Sequence, residues 1–314
     1  LHFTKYEDYQ PVDMEPNGLG GRKEALIDDI YFHFVPDSST RLAGLQTGEY
    51  DFAYSIHFDN YEALQNSDVV DPLLIPGSNT ILKLNNVERI MSDPEFRKII
   101  NTALDYDEIM MAGFPNKDFY WLDSSYMHKD IKSWASQAGS EFHNINDPEK
   151  AKQMLEEYGY NGEEVVIMAT RDYEYMYNIG VVVDQQLKAI GINSRLDVYD
   201  WPTLDEMESK TDQWDIEVMG ISMVSTPPQL LMLSPTWAGG VNNPKIPEDM
   251  RAIETASSIE AEHKLWDELQ YYVWAEHLPV INFGGGNTLF GISKKVQGLE
   301  TPLGAVYWNV SKTE

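Results

Sequence analysis

The sequence predicts an α/β fold in which helices cover a mostly parallel sheet, and the pattern that dictates it lies between residues 165 and 222. The apolar run Val165-Val166-Ile167-Met168 reads as a buried strand. Residues 173–190 follow, with Met176, Ile179, Val183, Leu187 and Ile190 spaced 3, 4, 4 and 3 apart, which makes one apolar stripe on a helix. Gly191 supplies the usual left-handed stop. Leu196 and Val198 then alternate with Arg195 and Asp197 as a second strand, residues 202–207 begin a second helix, and Ile216, Val218 and Ile221 mark a third strand. Ligands of such sheets sit beyond the C-terminal strand ends. Those ends are Thr170-Arg171, Asp200-Trp201 and residues 222–226.

The remaining elements can be read in order. Residues 1–22 hold Pro11, Pro16 and a glycine cluster from Gly18 to Gly21, and read as an irregular lead-in. In 29–35, Ile30, Phe32 and Phe34 alternate with Tyr31 and His33 as a strand that Pro36 ends. Residues 38–47 read as a helix with Ser38 or Ser39 as cap and Gly48 as stop. Strands at 49–54 and 79–84 flank a short helix at 59–66. Asp93-Pro94 is a cap followed by a first-turn proline, and Phe96, Ile99, Ile100, Ala103 and Leu104 give that helix its buried face. Residues 107–112 add another turn or two, closed by Gly113. Residues 114–142 carry no period and read as a long loop over the surface. Asp147-Pro148 opens a helix that Gly159 stops, 248–256 and 260–276 read as helices, and strands at 278–283 and 288–292 flank Gly284-Gly285-Gly286.

Composition narrows the function classes. The chain has 314 residues, enough for two domains, and its 42% hydrophobic content is that of a globular protein. No apolar run approaches the ~18 residues of a membrane helix. A net charge of −28 argues against nucleic acid and anionic lipid as partners and favours solubility, including in a salty medium that screens self-repulsion. The absence of cysteine excludes disulfides and thiolate chemistry and fits an extracytoplasmic life. There is no HExxH, GxSxG or phosphate loop, so no metal or cofactor is expected, and His128 and His143 make no metal site by themselves. Acid pairs such as Asp205/Glu206 and Glu163/Glu164 read as solvated surface.

The order of landmarks resembles the extracellular solute-binding proteins of family 5, the peptide/nickel type that feeds ABC importers. Val35-Pro36-Asp37-Ser38-Ser39-Thr40-Arg41 with Leu45-Gln46-Thr47-Gly48-Glu49-Tyr50-Asp51 is similar to the family's "vPDsstr…aLqsGeiD" segment. Leu82 to Asn86 resembles its "l.lN" strand, and Arg97, Ala103 and Asp105 match "d.rvRqAl..aiDre.i". Asp147-Pro148-Glu149-Lys150-Ala151 with Leu155 and Gly159-Tyr160 resembles "DpekAk.lLaeaGy". Gln186 to Ile192 resembles "qLk.iGi", and Pro279-Val280-Ile281 resembles the closing "P.ip" strand.

The resemblance implies a type II periplasmic-binding-protein-like fold, with one complete lobe at 83–284 and part of the importer-side lobe at 1–82 and 285–314. The match begins mid-family, so the signal peptide, lipidated cysteine and first half of one lobe are expected to be missing from this chain. The implied function is capture of a small solute (peptide, oligosaccharide or metal chelate) by hinge closure, without catalysis, for the membrane subunits of an importer. The full-length form is expected to be an extracytoplasmic monomer. The alternative is an oligosaccharide-processing enzyme using cleft carboxylates and tryptophans. Hinge residues are expected at Asn85, Asn86, Gly284 and Gly285, and ligand-facing residues at Trp201, Ser222, Ser225, Thr226, Trp237, Asn282 and Phe283. Val224 falls where the family's peptide binders place an aspartate for the ligand's amino group. Its lack of charge tilts the expectation toward a neutral or sugar-like ligand, because a buried ammonium without a counter-charge costs several kcal/mol.

Overall fold

The computed structural model describes residues 1–314 apart from Gly18, Pro302, Leu303 and Glu314, so Gly18 of the lead-in cluster and part of the expected 285–314 segment lie outside the described residues. The chain forms two compact units, Leu1–Gly77 with Asn287–Glu314, and Ser78–Gly286. Aspartates set the starts of α-helices in both units. Asp37, Asp93, Asp105, Asp147 and Asp200 each accept a backbone N–H in the first turn of the helix that follows. Asp37, not Ser38 or Ser39, therefore caps the first helix.

In the smaller unit, β1 (His2–Thr4) pairs antiparallel with β2 (Asp29–Tyr31). Helix α1 (Ser38–Thr47), strand β3 (Phe52–Ala53) and helix α2 (Tyr61–Gln65) follow. Leu45, Ala53, Ile56, Leu64, Val70 and Leu289 form the core. The strand expected over 29–35 ends at Tyr31, and at its far end a side chain takes the place of a strand partner. The Arg41 guanidinium donates to Val35 O and Pro36 O, and also to Tyr54 O and Ser55 O.

Strand β4 (Val70–Leu84) starts earlier than the expected 79. The larger unit adds α3 (Pro94–Ala103), α4 (Tyr106–Gly113), β5 (Tyr120–Leu122), α5 (Pro148–Tyr158) and β6 (Val165–Thr170). Next come α6 (Glu174–Ala189), β7 (Ser194–Tyr199), α7 (Trp201–Glu208) and β8 (Ile216–Ile221). Helices α8 (Lys245–Glu254) and α9 (Ile259–Tyr272), a π-turn at Val273–His277 and β9 (Val280–Ser293) complete it. The two strands expected around the glycines are one continuous strand. The sheet order is β3-β9-β4-β8-β6-β7, with β5 also on β9. Parallel pairing is confined to β6 with β7 and β8, and the other registers described are antiparallel. The sheet is therefore mixed, with β4 running antiparallel to β8 beside the parallel set of β8, β6 and β7. The α6 stripe behaves as its spacing predicts: Met176, Ile179, Val183, Leu187 and Ile190 are each at most 4% exposed. Each such side chain stabilises by about 1.5–3 kcal/mol.

The stretch 114–142 departs most from expectation. Tyr120–Leu122 is a strand, and Phe119, Tyr120, Ser124, Ser125, Tyr126, Met127 and His128 are buried, so this is not a surface loop. Buried irregular backbone needs partners, and side chains supply them. Asn282 Nδ2 donates to Asp123 O and Ser125 O, Trp274 Nε1 to Ser124 O, and Gln270 Nε2 to Ser136 O and Ala138 O.

Arg97 is wholly buried with no ion pair among the described residues. Nε donates to His277 O and Leu278 O, Nη1 to Met91 O and Ser92 O, and Nη2 to His277 O. Burial pulls its pKa down to about 10. Burial, with Arg97 beside it, also holds the His277 imidazole down to about 4, so neutral His277 Nδ1 accepts from Arg97 Nη2 at 3.3 Å. Arg97→Met keeps the apolar stem but orphans these carbonyls. Denaturant unfolding of the larger unit is expected to show a loss of about 3–5 kcal/mol. A loss below about 1 kcal/mol would show that water replaces the guanidinium there.

Candidate functional site

Strands β6 and β8 are parallel neighbours in register at Ile167↔Ile216, and β6 and β7 pair through Thr170↔Tyr199. All three therefore end on one edge, where side chains of the following loops gather. At that edge Thr170 Oγ1 accepts from Asp172 N (3.1 Å), and Asp172 Oδ2 accepts from Trp201 N (2.7 Å). This ties the end of β6 to the first turn of α7. Tyr173 stands edge-on to Trp201 with ring centroids 5.2 Å apart. Trp201 is half-buried and packs on the Val166, Met168, Leu204 and Trp214 cluster.

Arg171 is the residue that sequence reasoning passed over. It is exposed, its guanidinium lies 4.4 Å from the Tyr177 ring centroid, and Nη2 donates to Tyr177 Oη at 3.2 Å. Among the described residues it has no ion pair, although acidic side chains outnumber basic ones 51 to 23. Its neighbour Asp172 is engaged by Trp201 N instead. The available signal was a cation at a C-terminal strand end in an acidic chain.

The loop beyond β8 carries Ser222, Val224, Ser225 and Thr226. Ser222 and Ser225 are exposed, and Val224 is half-buried. Gln229 Oε1 accepts from Ser225 N (3.0 Å) and Thr226 N (3.2 Å) in a capping box that also uses the Thr226 side chain. The exposed Ser222 and Ser225 hydroxyls take no part in that box.

The other expected residues lie elsewhere. Trp237 sits over the Lys83 ammonium at 4.0 Å. Lys83 pairs with Glu217, so Trp237 is at the opposite end of β8 from Ser222. Asn282 and Phe283 are fully buried, Asn282 in the bonds given above and Phe283 edge-on to Tyr106 at 4.7 Å. Asn85 and Asn86 are also buried inside the larger unit. Asn85 Nδ2 donates to Thr211 O and Trp214 O, and Asn86 Nδ2 to Leu84 O and Pro279 O. Gly284 (φ 122°) and Gly285 pair with β5, and a Cβ at Gly285 would meet the Trp121 ring and Ser78 O. Here glycine serves close approach of backbone and ring. A Cβ at Gly220 would likewise meet Tyr175 Oη, and one at Gly286 the Phe114 ring. Trp121 Nε1 is buried and has no hydrogen-bond partner.

Residues 1–243 match the profile of the bacterial extracellular solute-binding proteins, family 5 (middle). The chain belongs to that family. Over 99% of its length it is 26% identical to a probable peptide ABC transporter periplasmic-binding protein, y4tO, of Sinorhizobium fredii, and covers 61% of that protein. It is 23% identical to the oligopeptide-binding protein AppA of Bacillus subtilis, matching 83% of this chain and 52% of AppA. The family 5 chain thus spans between half and two thirds of the length of these relatives. Its fold is shared with the dipeptide-binding protein of Pseudoalteromonas sp. SM9913 in complex with Met-Leu, at a TM-score of 0.77 and 18% identity, over 99% of this chain and 61% of that one. A family of binding proteins sets aside the glycan-processing alternative. The acid pairs read as solvated surface, Asp205/Glu206 and Glu163/Glu164, are exposed, and Glu206 pairs with Lys210.

Asp172→Ala removes the acceptor of Trp201 N and frees Tyr173. The expected result is a loss of about 1 kcal/mol and a red-shifted Trp201 emission, read as the difference from a Trp201→Phe control. Unchanged emission would show that this aspartate does not place the indole.

Proposed function

We propose that this protein is the substrate-binding component of an ABC importer, working outside the cytoplasm, and that its ligand is a peptide-like solute carrying a carboxylate. One observation carries the ligand class. Arg171, exposed at the strand-end edge and stacked on Tyr177, offers a planar donor fork that no carboxylate of the described chain occupies. Val224 leaves the facing loop without an acid, so an ammonium has no counter-charge there, whereas Ser222 offers a neutral hydrogen bond. Tyr173 and Trp201 supply an apolar wall beside the cation. The relatives named for peptide and oligopeptide binding support the same reading. Bending where the chain passes between its units, at 77/78 and 286/287, is the motion the reading requires. Transfer of the solute to the membrane subunits would follow.

Calorimetry with tripeptides bearing free or amidated C-termini tests this. The free acids are expected to bind roughly 10- to 100-fold more tightly, the range for a hydrogen bond to a charged group. Arg171→Met is expected to abolish the difference while leaving the amides unchanged. Equal affinity for both forms, or binding of neutral sugars alone, would sink the carboxylate assignment.

A further inference from the structure

A second cluster in the larger unit lies away from the strand-end edge. Lys83, only 1% exposed, stands opposite Glu217 across β4 and β8. Its ammonium donates to Glu208 Oε1 and lies 3.4 Å from Glu217 Oε2, an ion-pair contact that is not a hydrogen bond. The rings of Trp237 and Trp214 cover it at 4.0 and 5.2 Å. Among the described residues, the charged groups acting on Glu217 are Lys83 and Glu208 alone, and its neighbour across β6 is Met168. One buried cation thus faces two carboxylates and two indoles.

We propose that Lys83 is a positioning residue for the loop at 222–244, gripping Trp237 with a strength set by whether the facing Glu217 carboxyl holds a proton. The reasoning is electrostatic. Two ionised carboxylates beside one ammonium would leave a net negative charge out of water, so one of them keeps a proton. Glu208 is the more open of the two (13% side-chain exposure against 1%) and holds the direct hydrogen bond, so Glu217 is the protonated partner. With that proton in place the cluster is neutral and the ammonium face is free for Trp237. Loss of the proton draws the ammonium toward Glu217 and weakens the hold on the indole. The loop it releases begins at Ser222 and is anchored further on where Asn86 N donates to Gly239 O. The proposal stands whatever ligand the protein takes.

Burial, opposed by Lys83 and reinforced by Glu208, pushes the Glu217 carboxyl up to about 8. A raised folded pKa means that the proton's contribution is complete below the unfolded carboxylate range and is lost as pH rises through the folded value. The test is fluorine NMR of the full chain labelled with 5-fluorotryptophan, its resonances assigned by Trp→Phe replacement. Trp237 and Trp214 are expected to shift together between pH 6.5 and 9.5 with a midpoint near 8, the other indoles staying flat, and Glu217→Gln is expected to remove the step. A flat Trp237 resonance across that range in the wild type overturns the proposal, as does a step that survives Glu217→Gln. Should that variant not fold, the wild-type titration decides alone: a step confined to Trp237 and Trp214 supports the proposal, and a step shared by all indoles or by none overturns it.

Discussion

The Arg97 guanidinium, buried with no direct ion pair among the described residues, is the interaction on which the larger unit most depends. Its partners are carbonyl oxygens alone, apart from one imidazole nitrogen. Several of them belong to the end of the π-turn, where the negative end of a helix dipole and unpaired carbonyls coincide. A charge can stay out of water there because it replaces the water those carbonyls would otherwise require. Leu278, held at φ 44° in the left-handed region, is fixed by the same donors. The turn before α3, the end of α9's extension and the start of β9 therefore move as one piece. The strand that carries Gly284 to Gly286 starts from this fixed point.

A second constraint builds on the first. Residues 123–128 are irregular, with Ser124 to His128 buried, and their backbone groups are met by Gln270, Trp274 and Asn282. Each of these side chains comes from α9, its extension or β9. Docking of α9 is thus a precondition for order in a segment far away in sequence. Such long-range dependence is what periodicity cannot express.

That explains which parts of the fold were legible in the sequence. The β6–α6–β7–α7–β8 stretch was readable because its apolar spacing, its strand alternation and Gly191 are all local signals that agree. The strand at 120–122 was not, since three residues carry no period and its partner is a glycine run with no side-chain signal. The antiparallel arrival of β4 beside β8 is likewise a tertiary choice. At the site, Trp201 and the 222–226 loop could be placed from strand ends alone. Arg171 could not be singled out, because an unpaired cation is recognised only once its neighbours are known to be engaged elsewhere. Asn282 and Trp237 show the reverse. Their sequence positions suggested a place lining the cleft, whereas Asn282 is buried with a backbone-capping duty and the half-buried Trp237 lies over Lys83.

The glycines at 220, 285 and 286 have a consequence of a different kind. Tyr175, Trp121 and Phe114 lie where side chains of those residues would be, so the aromatic layer over this part of the sheet exists only while the residues beneath it have no side chain. A single methyl group at Gly220 or Gly286 would act as a wedge, evicting one ring and reshaping the surface above it, and at Gly285 it would press on the Ser78 carbonyl as well as on the Trp121 ring. Relatives that differ at these positions would then present differently contoured surfaces on the same scaffold, which gives evolution, or an engineer, a dial adjustable one carbon at a time.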